Sequence, residues 1–164
     1  KMGKMKNKKV IAALIALSML VLTACGGSKV ASNSDSNLPT VTANAGAEPT
    51  IGAPSGTPPT TLVTKDIIEG TGTAAVVTST MTVHYTLMAW STGKVVESSW
   101  SGGQPATFPL ANVIVGWQQG IPGMKVGGRR LLVIPPDLGY GAAGGGPIGA
   151  NETLIFVVDV VAIS

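Results

Sequence analysis

The chain has 164 residues, enough for one domain with appendages. Its formal charge of +3 comes from the amino end: without the five lysines among the first nine residues, six basic side chains face eight acidic ones. That balance excludes the basic footprint of nucleic-acid binding, and a single cysteine excludes an intrachain disulfide.

The lysine-rich residues 1–9 precede an uncharged apolar or small-residue run, residues 10–24. Fifteen residues are short of the roughly 20 that span a bilayer. A basic start, an apolar middle and small residues before a cleavage point describe an export signal. Leu22-Thr23-Ala24-Cys25 resembles the bacterial lipobox. The resemblance implies cleavage before Cys25 and a diacylglyceryl group on its thiol, with each buried CH₂ contributing about 0.8 kcal/mol. The competing reading makes Cys25 a small hydrophobe at the end of a membrane helix. The lipobox reading predicts a protein outside the cytoplasm, lipid-anchored to a bacterial cell membrane.

Residues 26–60 are rich in Gly, Ser, Thr, Asn, Ala and Pro and contain no aromatic. Such a composition predicts disorder, because too little apolar surface is available to offset the ordering entropy. The expected organisation is a signal peptide over 1–24, lipidated Cys25 with a disordered tether to 60, and a folded domain over 61–164. All seven aromatics lie between positions 85 and 156.

Within that domain, residues 62–69 read as a first strand. Residues 80–90 alternate, with Met81, Val83, Tyr85 and Leu87 on one face and Thr82, His84, Thr86 and Met88 on the other. This is the pattern of a half-buried strand, with Tyr85 inward and His84 in solvent. A turn at 91–94, a short strand at 95–97, a loop at 98–103 and an extended run at 105–110 follow. Residues 112–119 are the one plausible helix. Strands at 130–134 and 153–162 flank a glycine-rich loop, with Pro135-Pro136 stopping the first. Many strands and one short helix predict an antiparallel α+β domain.

Chemistry-bearing patterns are few. His84 is the only histidine and has no acid or nucleophile beside it in the pattern. No cluster has metal-ligand spacing, and no Gly-x-Ser-x-Gly elbow is present. The glycines of residues 141–146 lack the Lys-Ser/Thr and the following helix of a phosphate loop. Tyr85, Val113, Ile114, Trp117, Tyr140 and Phe156 remain. Composition alone lets them be either core or the lining of an apolar pocket, and Trp117 either a plug or a floor.

In order and spacing, several stretches resemble the FKBP-type peptidyl-prolyl isomerases. They are Val83-His84-Tyr85-Thr86, Gly93-Lys94 with Ser98-Ser99, Pro105-Ala106-Thr107-Phe108-Pro109-Leu110, Val113-Ile114-Val115-Gly116-Trp117, Gly123 to Arg130, Ile134 to Gly141 and Asn151 to Asp159. The resemblance covers about residues 62–164. It implies a twisted antiparallel sheet of five to six strands wrapped around one short helix, with the pocket between them.

Carried over, Trp117 is the pocket floor, with Tyr85, Val113, Ile114, Tyr140 and Phe156 as walls and Phe108 and Ile148 (the latter in a flap) also contacting substrate. The Tyr140 hydroxyl and the Ile114 N–H would bond ligand carbonyls. Catalytic roles fall on Tyr85, Glu97, Trp117, Tyr140 and Phe156. Two positions depart from the family: Val96 stands for a pocket aromatic and Glu97 for the usual Asp. Val96 widens the pocket and weakens the expected binding of macrolide inhibitors.

The implied activity is isomerisation of X–Pro bonds of exported proteins, by a monomer that needs no cofactor. The amide barrier of about 18–20 kcal/mol arises from resonance, and a water-poor pocket that favours the twisted amide lowers it by differential binding. The alternative is a catalytically weak peptide-binding or holdase module on the same lipid tether.

Overall fold

The computed structural model describes residues 37–164; the basic leader, Cys25 and residues 26–36 lie outside the described residues. Six strands form one antiparallel sheet: β1 (Val63–Ile68), β2 (Thr80–Ala89), β3 (Lys94–Ser98), β4 (Ala106–Pro109), β5 (Arg129–Ile134) and β6 (Leu154–Ile163). Their order is β1-β5-β6-β2-β3, with β4 also on β2. Among the described residues the one α-helix, α1 (Val115–Gly120), follows a 3₁₀ turn at Leu110–Asn112. The fold expected from the sequence is therefore present, with strand ends moved by a residue or two and the helix starting three residues later than expected, after the 3₁₀ turn.

The two long strands, β2 and β6, pair from Met81↔Ile163 to Ala89↔Leu154 and form the spine. The far side of β2 is shared. β4 takes Thr80 to Val83 and β3 takes Thr86 to Ala89. His84 and Tyr85 fall in the gap between these two partners.

Alternation sorts the apolar side chains to two faces. Met81, Val83 and Leu87 of β2, Leu132 and Ile134 of β5, and Leu154, Phe156, Val158 and Val160 of β6 bury in one cluster with Trp117 of α1 and Ile121 just past its end. Helix and sheet approach closely at α1. A Cβ on Gly116 would lie 2.5 Å from Ile134 Cγ2, and one on Gly120 2.6 Å from Leu132 Cδ2. Gly116 thus serves close approach, since any larger residue there would lift Trp117 off the sheet.

The opposite face is covered as well. Met88, Trp90, Leu131, Val133, Ile155 and Val157 pack with Leu38, Val41 and Ile51 from the amino-terminal segment. Residues 37–60 therefore form a strap across the back of the sheet, contrary to the disorder expected there. Val41 and Ile51 form an antiparallel bridge, and the Trp90 indole N–H donates to the Gly56 carbonyl at 3.3 Å. Arg129, fully buried, fastens the strap. Its Nε bonds both Asp159 oxygens at 2.8 and 2.9 Å. Nη1 donates to the Thr42 carbonyl and Asn44 Oδ1, and Nη2 to the Ala47 carbonyl, at 2.7, 2.8 and 2.6 Å. The strap thus adds three charge-assisted hydrogen bonds to the contacts of its few apolar residues.

Candidate active site

Tyr85 sits where β2 lacks a strand partner on one side, and a side chain fills that role. The Ser99 hydroxyl accepts the Tyr85 N–H at 2.8 Å and lies 3.3 Å from the Tyr85 carbonyl. This gives the Ser98-Ser99 pair a structural meaning: it ends β3 and satisfies the backbone beside the site. The same hydroxyl lies 2.9 Å from His84 Nδ1, and the His84 ring stacks on Trp100 with centroids 3.9 Å apart. His84 is thus half-buried rather than solvated, because the 3₁₀ turn at Ser99–Gly102 folds over it.

On the opposite face, Tyr85, Leu87, Glu97, Phe108, Asn112, Val113, Ile114, Trp117, Tyr140 and Phe156 line a cavity of about 340 Å³. Its floor is Trp117, only 4% exposed. Three rings stand around the indole nearly at right angles. Phe156 lies at 5.3 Å and 83°, Tyr85 at 5.8 Å and 79°, Phe108 at 5.8 Å and 89°. Such edge-to-face pairs set positive ring edges against a negative face and are worth about 0.5–1.5 kcal/mol beyond area burial. The indole is therefore rigid before any ligand arrives. Among the described residues its N–H has no acceptor.

Polar groups sit higher on the walls. The Tyr85 hydroxyl donates to Glu97 Oε1 at 2.6 Å, so the longer acid still reaches the phenol. Burial, then the hydrogen bond and charge of Glu97, push the Tyr85 pKa up to about 12. The phenol is neutral at all physiological pH. A folded-state value raised above the ordinary 10 contributes stability that is complete below about pH 10 and is lost as pH rises through about 12. Wild type is thus expected to lose more of its urea midpoint than Tyr85→Phe between pH 9.5 and 12. Tyr140 is 41% exposed at the mouth.

Two interactions hold α1 against this cavity. Arg130 Nη1 donates to the Gly120 and Pro122 carbonyls at 2.7 and 3.1 Å, capping the helix end. Arg130 Nε is held in turn by Asp66 at 2.6 Å.

The structure brings together eight of the ten residues singled out from the sequence: Tyr85, Glu97, Phe108, Val113, Ile114, Trp117, Tyr140 and Phe156. Val96 and Ile148 are not among the lining residues: Ile148 is buried in the apolar cluster that also holds Trp117 and Phe156, and Val96 packs half-buried against that cluster. Ile148 is held there by a small hairpin, its N–H and carbonyl both bonded to Gly145 at 2.9 Å. Leu87 and Asn112 were not singled out. Leu87 was legible as the next inward residue after Tyr85. Nothing in the sequence marks Asn112, which reaches the rim because the 3₁₀ turn ends there.

A family profile described as FKBP-type peptidyl-prolyl cis-trans isomerase matches residues 72–161. The chain belongs to this family. It is 51% identical over 120 residues to an FK506-binding protein of Streptomyces anulatus, covering 71% of this chain and 97% of that one. A probable FK506-binding protein of Corynebacterium glutamicum is 46% identical over 114 residues, covering 70% and 97%. The crystal structure of FkpA from Escherichia coli superposes with a TM-score of 0.60 at 38% identity, over 63% of this chain and 48% of that one. The chain is thus an FKBP-type peptidyl-prolyl cis-trans isomerase, and its aromatic cavity lies between the sheet and the short helix.

Proposed function

We propose that the Trp117 cavity binds the prolyl ring of an X–Pro segment and stabilises the twisted amide, and that the substrates are exported proteins met at a membrane surface. The floor of indole and edge-on rings carries this reading. Rotation about the X–Pro bond separates the nitrogen lone pair from the carbonyl, so the twisted amide is less polarised than the planar one. Water favours the planar form, and a dry aromatic cavity removes that preference. The cavity lies near the small end of the usual ligand-site range of about 300–1,000 Å³, which suits a prolyl ring and its neighbours.

In this reading the Tyr140 hydroxyl and the Ile114 N–H, both from lining residues, donate to the peptide's carbonyls. Glu97 orients the Tyr85 ring by accepting its hydroxyl proton. Binding that grows as the amide twists raises kcat rather than affinity alone. The same lining, with Val96 outside it, supports binding of a macrolide with a prolyl-like ring.

The lipobox at Leu22 to Cys25 supports a lipid anchor. Cys25→Ser is expected to abolish incorporation of a labelled fatty acid and move the protein from the membrane fraction to the soluble one. Retention of both label and membrane association would refute the anchor. The isomerase reading is tested by Tyr140→Phe, which should lower kcat/KM for an X–Pro peptide about fivefold, as expected for one hydrogen bond. An unchanged value would remove Tyr140 from the mechanism.

A further inference from the structure

Ile114 precedes α1 as its N-cap, with φ −56° and ψ 151°, and no side chain caps the helix there. Its carbonyl accepts the backbone N–H groups of Trp117 and Gln118 at 3.0 and 3.2 Å. The Gln118 side chain then folds back along the incoming loop. Its Nε2 donates to the Val113 carbonyl at 2.7 Å and approaches the Ala111 carbonyl at 3.5 Å. Two carbonyl oxygens can be satisfied only by the NH₂ end of the amide, so the side chain's orientation follows from its partners.

The Val113 carbonyl and the Ile114 N–H belong to one peptide unit. That unit is planar and trans, so the two groups point in opposite directions. Fixing the carbonyl toward Gln118 fixes the N–H away from it. Gln118 is outside the cavity lining, whereas Val113 and Ile114 are both in it. Among the described residues no acceptor takes the Ile114 N–H. A carbonyl that accepts a strong hydrogen bond also polarises its own amide and strengthens its N–H as a donor.

We propose that Gln118 is a positioning residue for isomerisation: it clamps the Val113–Ile114 peptide plane so that the Ile114 N–H is aimed, and strengthened, as the donor to the substrate carbonyl. This rests on the reading of the Ile114 N–H as a substrate donor, and the experiment separates the two.

The test uses the purified protein, an X–Pro tetrapeptide and ¹H–¹⁵N spectra. In wild type the Ile114 amide should shift on peptide titration. Gln118→Ala should lower kcat/KM about three- to tenfold, move the free-state Ile114 amide resonance and shrink its response to peptide. Gln118→Glu keeps the shape but cannot donate while ionised. Its activity relative to wild type should recover as pH falls through the carboxyl range near about 4.3, where the protonated acid donates again; a packing role alone would leave that ratio flat. If Gln118→Ala does not fold, the pH profile of Gln118→Glu decides. Unchanged kcat/KM in the folded variants, with the Ile114 amide still responding, would overturn the clamp. An Ile114 amide that ignores peptide in an active wild type would instead overturn the donor reading and the proposal with it.

Discussion

Arg129→Ala is expected to destabilise the folded domain by about 3–5 kcal/mol, the range for removing one partner of a buried ion pair. Five hydrogen bonds disappear together, two to Asp159 and three to the strap at Thr42, Asn44 and Ala47. The loss therefore reaches both the sheet and its cover. Burial holds the Asp159 carboxyl above its ordinary value, against the opposing hydrogen bond and charge of Arg129. Without Arg129 that opposition is gone and the carboxyl rises further. A raised folded-state value means that the native state binds the proton more tightly than the unfolded chain does. The deficit should accordingly narrow as pH falls from 7 toward the ordinary carboxyl range. Urea unfolding of wild type and variant at pH 7 and pH 5 measures both effects. Truncation to residues 62–164 should also destabilise, because it uncovers Leu131, Val133, Ile155 and Val157 and replaces the three strap hydrogen bonds of Arg129 with bonds to water. A fragment 62–164 as stable as 37–164 would show that the strap is ornamental.

Trp117→Ala should lower kcat/KM at least tenfold to hundredfold, equivalent to about 1.4–2.8 kcal/mol of transition-state stabilisation. It removes the floor on which Tyr85, Phe108 and Phe156 stand. The same change costs about 3–5 kcal/mol of fold stability as a buried aromatic-to-Ala substitution, so activity must be compared with the folded fraction. Trp117→Phe separates the contributions, since it keeps a flat apolar floor but has no indole N–H. It should retain most of the activity if the apolar surface does the chemistry. A loss as large as that of Trp117→Ala would assign the effect to the N–H. Stopped-flow isomerisation kinetics with parallel circular dichroism give both numbers.

The site was more legible in the sequence than the domain's extent. Period-2 alternation places Tyr85 and Leu87 inward, and the spacing of aromatics matches the cavity walls. Trp117 proves to be floor and core at once: buried by its neighbours' edges, open on one face. The strap was missed because Leu38, Val41 and Ile51 are isolated among small and polar residues, and local composition reports no core. A signal for it did exist elsewhere. Leu131 to Ile134 and Leu154 to Val158 are apolar without alternation, the pattern of strands covered on both faces. One helix can cover only one face, so a second cover was required. Arg129, at the start of such a strand, was the charged residue to pair with it. Family position puts Val96 in the pocket wall, whereas the cavity lining here includes Glu97 and not Val96, which packs half-buried against the same apolar cluster.

The most direct test is exchange spectroscopy on an X–Pro peptide with micromolar protein. Catalysis by this cavity predicts that cis–trans exchange, which takes tens of seconds unaided, accelerates in proportion to enzyme concentration. It also predicts that peptide-induced shifts centre on Tyr85, Ile114, Trp117, Tyr140 and Phe156. Exchange that stays at the uncatalysed rate while those same residues bind the peptide would contradict it, and would leave a peptide-binding module in place of an isomerase.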